Sequence, residues 1–268
     1  MLKRLTVLAL AAALLAACEN SIQTTSGSQY LAAYDNGNAA GAATDAEIAA
    51  AANVEPQLRF PARIGLARIG PDGLAPVPQA EAYAWGHLAE RLGGTYGTFV
   101  PVSPLIAALA TPETPQRQSA ETCGYLGCRV SAADRLAQVV RQVRLGAARQ
   151  HLDAVLIYET FGRSEESSNP LAVTKLALIG FFLPTESVEA EGFAQAVLVD
   201  VRNGYTYGTA SAVAEKPSHR ITTVSDSGDA HASARREAEA RAVAALTGEV
   251  ETMVRDLRLA LAEQRAPH

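Results

Sequence analysis

The first eighteen residues constrain this chain more than any other feature. Met1-Leu2-Lys3-Arg4 supplies two cations, Leu5 to Ala17 is an apolar run, and Leu15-Ala16-Ala17 ends it in small residues. A cationic start, a short apolar stretch and a small-residue cleavage site are the three parts of a secretory signal. The run falls short of the roughly 20 residues that a membrane-spanning helix needs. Residues 1–17 therefore serve as an address, and the fold must be built from the remaining residues, outside the reducing cytosol.

The residue after the run is Cys18, and Leu15-Ala16-Ala17-Cys18 resembles a bacterial lipobox. That resemblance implies cleavage before Cys18, a diacylglycerol thioether on its sulfur and acylation of the freed amine. Each buried CH₂ contributes about 0.8 kcal/mol, so two or more chains hold a protein stably where one is marginal. The expected partner is the membrane, through the N-terminal lipid. Glu19, which is not Asp, points to the outer membrane in preference to the inner by resemblance to enteric sorting rules. From Glu19 to about Asn53 the sequence is polar and then rich in Ala and Gly, which reads as a flexible tether over residues 18–55, with a single periplasmic domain over 56–268.

Without residues 1–17 the mature chain has 251 residues, and the loss of Lys3 and Arg4 leaves 21 basic against 28 acidic side chains. An acidic chain with scattered Arg lacks the electrostatic footprint of a nucleic-acid binder. Only two cysteines remain beyond Cys18, in Cys123-Gly124-Tyr125-Leu126-Gly127-Cys128. In an oxidising envelope this pair reads as a local disulfide contributing about 2 kcal/mol. A redox pair or half a metal site are the functional alternatives, but the redox motif has two intervening residues, and no second Cys or Cys/His pair completes a zinc set.

Along the body, Arg63 to Ile69 alternates as a strand and Gly70-Pro71-Asp72-Gly73 closes it. Residues 79–92 carry Tyr83, Trp85, Leu88 and Leu92 at helical spacing, stopped by Gly93-Gly94. A short strand is expected at Gly97 to Val102, and Ser103-Pro104 opens a short helix. Leu136, Val139, Val140, Val143 and Ala147 form the stripe of a helix over 133–150. It leads into Asp153 to Glu159, a near-continuous apolar run expected of a strand covered on both faces. Further strands are expected at Val173 to Leu183 and Phe193 to Val201, and Asn203-Gly204 turns the latter into a strand from Tyr205 to Val213. Residues 217–231 read as an exposed loop before a helix over 232–263. The fold class is α+β: a mixed sheet of about five or six strands with helices packed on it and a long C-terminal helix.

Three passages carry a family resemblance: Phe60 to Leu66, the helix-to-strand passage Ala147 to Leu156, and Val197 to Gly204. Together they resemble the periplasmic lipoprotein superfamily that includes the curli-type secretion lipoprotein and the amino-terminal domain of TolB, with Asn203 where that group has Thr in the turn. The resemblance implies a non-enzymatic envelope protein that acts through contacts with other envelope proteins.

No catalytic template is present: there is no Gly-x-Ser-x-Gly, His-Glu-x-x-His, Gly-x-x-x-x-Gly-Lys-Ser/Thr or Gly-x-Gly-x-x-Gly. No catalytic residue, metal site or cofactor is assigned. His151 sits where a helix ends and reads as a cap. Arg163, Glu165 and Glu166 read as a solvated turn, and Ser218-His219-Arg220 with Ser225 to His231 as a solvated loop. Tyr205 and Tyr207, two residues apart on one strand, make a candidate interaction surface, although cross-strand packing is their more ordinary use. The expected function is a lipid-anchored binding or assembly factor of the cell envelope. The alternatives are a subunit of an outer-membrane secretion assembly and an enzyme with an unrecognised site.

Overall fold

The computed structural model describes residues 19–34, 42–110, 132–168, 186–214, 218–222 and 227–266. In chain order the elements are β1 (Glu19–Ile22), α1 (Gly27–Tyr34), α2 (Ala42–Ala52), β2 (Ala62–Gly70), β3 (Gly73–Ala75), α3 (Gln79–Leu92) and β4 (Gly97–Pro101). They continue with α4 (Pro104–Ala110), α5 (Ala132–Arg149), β5 (Ala154–Ser168), β6 (Glu186–Asp200), β7 (Thr206–Val213), β8 (Ser218–Thr222) and α6 (Ser227–Gln264).

The described strands form one mixed eight-stranded sheet in the order β1-β7-β6-β5-β2-β3, with β4 beside β2 and β8 beside β6. β2 runs parallel to β4 and β5, and the other pairs are antiparallel. The α+β class with helices on a mixed sheet and a long C-terminal helix is thus the observed architecture. The sheet is wider than the expected five or six strands because short or polar segments, β1, β3 and β8, join it through backbone pairing.

Strand alternation sends side chains to two faces, and each face has its own core. On one face α6 lies across the sheet. Val243, Leu246, Val250, Met253, Val254, Leu257 and Leu261 are buried from the helix, against Ile64 and Leu66 of β2, Leu156 and Tyr158 of β5, and Leu198 of β6. The N-terminal half of α6 contributes Ala234, Ala238 and Ala242, all fully buried. Small residues there bring helix and sheet close: a Cβ at Gly192 would collide with the Ala238 carbonyl oxygen. Among the described residues, the second face is covered over one end, where Val143 and Ala147 of α5 and Val102 pack on Val155, Ile157, Val199 and Val201. The sequence suggests that the 133–150 and 232–263 helices cover one apolar face of the sheet, but the two lie on opposite faces, because β5 is apolar at both odd and even positions.

Several boundaries differ from the sequence reading. Residues 18–55 are not simply a tether: Glu19–Ile22 pairs with β7 from Glu19↔Ser211 to Ile22↔Gly208, and α1 and α2 come after it. β5 extends past Glu159 to Ser168, so Arg163, Glu165 and Glu166 are strand residues opposite Glu191, Glu189 and Val188 of β6, and not a turn. Ser218-His219-Arg220 pairs with Val188 to Ala190 as part of β8, so the 217–231 stretch contains a strand, and α6 starts at Ser227. The strand expected at Val173 to Leu183 falls outside the described residues, as do Cys18, Cys123 and Cys128. Tyr83 and Leu136, assigned to buried helix stripes, are 63% and 53% exposed.

Candidate functional site

Two places concentrate chemistry: a buried polar core under the helices, and the uncovered part of the sheet beside β1. The buried core is built where Arg68, near the end of β2, meets Glu81 in the first turn of α3. Arg68 Nε donates to both Glu81 carboxylate oxygens at 3.0 and 3.1 Å, and its Nη2 donates to Thr160 Oγ1 at 3.0 Å and Glu239 Oε2 at 3.4 Å. The Tyr158 hydroxyl donates to Glu81 Oε2 at 2.8 Å, and its ring lies 5.1 Å from that of Trp85. Burial pushes the Glu81 carboxyl above its usual range, against the opposing pull of Tyr158 and Arg68. Burial also raises Tyr158, reinforced by the neighbouring Glu81 charge. Arg68 and the Tyr158 hydroxyl have acceptors within the fold, so the cluster joins β2, α3, β5 and α6, while the buried Trp85 Nε1–H has no partner among the described residues.

The second polar cluster corrects the role of the tyrosine pair. Tyr205 is 5% exposed and Tyr207 fully buried, so neither forms an external interaction surface. A register shift between Leu198 and Val199 in the β6–β7 pair turns Tyr207 onto the α6 side. Its hydroxyl donates to Asp200 Oδ2 at 2.7 Å and accepts from the backbone N–H of Gln57 at 3.0 Å and of Leu58 at 2.7 Å. Tyr205 donates to the Thr25 carbonyl at 2.8 Å. The surface they form is one for their own N-terminal segment, which folds back over the end of the sheet.

Asp200 also fixes the Asn203-Gly204 turn, accepting at Oδ1 from the Arg202 N–H at 2.8 Å and the Asn203 N–H at 3.4 Å. Gly204 takes φ +81°, which L side chains rarely adopt. His151 stands at φ 56°, with its N–H on the Ala148 carbonyl and the Leu152 N–H on the Ala147 carbonyl. That is a left-handed helix cap, as its position after α5 suggested.

The part of the second face that no described element covers lies beyond the reach of α5. A groove of about 760 Å³ runs there, lined by Leu136 and Val140 of α5, Ile157, Val197, Thr209 and Ser21. Of its polar groups, Gln195 Nε2 donates to Glu159 Oε1, the Ser21 and Thr209 hydroxyls are 2.9 Å apart, and Asn20 Nδ2 donates to Glu249 Oε2 at 3.0 Å. Farther along the same face, β-pairing aligns Val213, Phe193 and Phe161 in one row. Val213 and Phe161 are 48% and 52% exposed, and the Phe161 and Phe193 rings stack at 6.2 Å. Among the described residues no group of three or more His, Cys, Asp or Glu is arranged to hold a metal, and no helix is long and apolar enough to cross a membrane.

The sequence reading missed Arg68, Glu81, Thr160 and Glu239 because topology alone brings them together. One signal was available: Glu81, Trp85, Leu88 and Leu92 occupy the buried stripe of α3, so a carboxylate sits where an apolar residue is expected.

No family model matches this chain, and no curated protein matches it in sequence. Among solved structures it is similar to a dodecamer of a PelC point variant from Paraburkholderia phytofirmans, at 12% identity and TM-score 0.30, covering 72% of this chain and 91% of that one. It is also similar to a candidate lipoprotein from Caulobacter crescentus CB15, at 16% identity and TM-score 0.24, covering 52% of this chain and 90% of that one. A third likeness is to the hypothetical protein CT253 from Chlamydia trachomatis, at 10% identity and TM-score 0.28, covering 73% of this chain and 99% of that one. At these scores the likenesses assign this chain neither a family nor an activity.

Proposed function

We propose that this protein is a lipid-anchored, non-enzymatic binding or assembly factor of the cell envelope, held by Cys18 and facing the periplasm, at the outer membrane. The observation that carries the reading is the run from Lys3-Arg4 through the apolar core to Leu15-Ala16-Ala17-Cys18, placed directly ahead of the first strand. Support for binding over catalysis comes from how the perturbed groups are used. Glu81, Tyr158 and Tyr207 spend their hydrogen bonds tying secondary elements together, whereas the sheet face beside β1 offers apolar side chains and a groove in which Gln195 and Glu159 are paired. Exposed apolar surface of this kind marks contact sites.

Cys18→Ser tests the anchor. Cells fed a labelled fatty acid should incorporate label into the wild type and none into the variant, and the variant should leave the membrane fraction. Absence of label in the wild type would overturn the reading. Capture of the wild type from mildly solubilised membranes should bring down the same envelope proteins in repeated isolations. Capture of nothing above the level of a mock isolation would count against a binding role.

A further inference from the structure

We infer that the row Val213, Phe193 and Phe161 lies against the bilayer leaflet that holds the Cys18 lipid, with α6 turned away from the membrane. The inference rests on the lipid-anchor reading above and adds an orientation to it. Glu19 is fixed opposite Ser211 by the β1–β7 register, and Cys18 is joined to it by one peptide bond, which places its Cα about 3.8 Å away. No slack separates lipid from sheet, so the leaflet must lie about a side-chain length from this edge.

The level at which the anchor leaves selects the contact. Backwards from Glu19, the residues of β7 that come after Ser211 are Ala212 and then Val213, which pairs with Phe193, which pairs with Phe161. The apolar row therefore begins beside the point where the acylated residue departs. On the other face of the sheet at this level Ala212 and Ala194 are fully buried in the core beneath α6, so that side has no apolar surface to offer. Beside the row, Arg163 stands opposite Glu191 in the β5–β6 register, and Glu159 accepts a hydrogen bond from Gln195. The strands bearing the two phenylalanines are joined by residues 169–185, whose sole charged residue is Lys175, a composition compatible with a lipid neighbour. The apolar face of an interfacial helix is buried about 5–10 Å into the headgroup boundary, and an apolar strand row held at the same level would reach a similar depth.

The test uses the full lipidated protein in vesicles of phosphatidylethanolamine and phosphatidylglycerol, with and without brominated acyl chains, which quench nearby Trp. Phe161→Trp and Val213→Trp are read against Tyr83→Trp, an exposed site on α3, and against the parent with its buried Trp85. Added emission at 161 and at 213 should fall about twofold in brominated vesicles, and that at 83 should not change, as the depth of interfacial burial requires. If the protein carries lipid and floats with the vesicles but 161 and 213 are quenched no more than 83, the orientation is wrong and the anchor stands. If the protein carries no lipid and does not float, both are overturned. Shielding of 161 and 213 from brominated lipid and from an aqueous quencher alike would mean a second copy occupies the face, which also overturns the proposal.

Discussion

Replacing Tyr207 by Phe removes one oxygen atom and should cost more than most single-atom changes. The hydroxyl donates to Asp200 Oδ2 at 2.7 Å, and it accepts the N–H groups of Gln57 and Leu58 at 3.0 and 2.7 Å. Tyr207, Asp200 and Leu58 are fully buried, which leaves little room for water to take over. A hydrogen bond to a charged group is worth about 1.5–3 kcal/mol, and a buried donor left unpaired costs about 1–3 kcal/mol. Leu58 meets that condition in full and Gln57 in part, so the loss should be about 3–5 kcal/mol. At about 2–4 °C per kcal/mol for a chain of this size, Tm should fall by roughly 10 °C. Tyr83→Phe is the matched control: its hydroxyl is exposed and accepts a single bond from Gln79, so Tm should hold. Paired thermal melts by circular dichroism are sufficient. If Tyr207→Phe melts with the wild type, the docking of the Gln57-Leu58 segment onto the sheet end does not depend on this hydroxyl, and the reasoning fails.

Glu81→Ala leaves Arg68 Nε and the Tyr158 hydroxyl without their acceptor and should cost about 3 kcal/mol by urea unfolding, while Glu81→Gln keeps an acceptor and should cost less than half of that. Equal losses would deny the carboxylate its bridging role. Ile157→Asp puts an unpaired carboxylate between β5 and α5 at a site 6% exposed and should abolish the cooperative thermal melt. Burial raises the Tyr158 and Tyr207 hydroxyls above their ordinary value of 10, so the folded state keeps protons that the unfolded state gives up. Their contribution is complete below pH about 10 and is lost as pH rises beyond it. Melting temperature should drop steeply above that pH in the wild type and less steeply in Tyr207→Phe.

How much of this could be read beforehand depended on whether a residue's partner lay on its own element. The stripe from Val243 to Leu261 and the Asn203-Gly204 turn are local signals, and both hold in the structure. β1 is Glu-Asn-Ser-Ile, four residues with no apolar alternation, and its place in the sheet comes from backbone pairing with β7 and from contacts such as Asn20 Nδ2 to Glu249 Oε2 at 3.0 Å. Nothing local in the sequence distinguishes such a strand from a tether. Tyr205 and Tyr207 were legible as a pair with a shared role, but the segment that covers them lies about 150 residues upstream and reads as polar and unstructured. Glu81 was visible as a misplaced carboxylate on a buried stripe, while its partner Arg68 belongs to another element.

The proposed Cys18 anchor makes a definite statement about the mature N-terminus. Mass spectrometry of the N-terminal peptide, taken from protein isolated from membranes, reads that terminus directly. The expected chain begins at Cys18, with a diacylglyceryl group on its sulfur and an acyl group on its amine. A chain retaining residues 1–17, or beginning elsewhere with an unmodified Cys18 thiol, would contradict it.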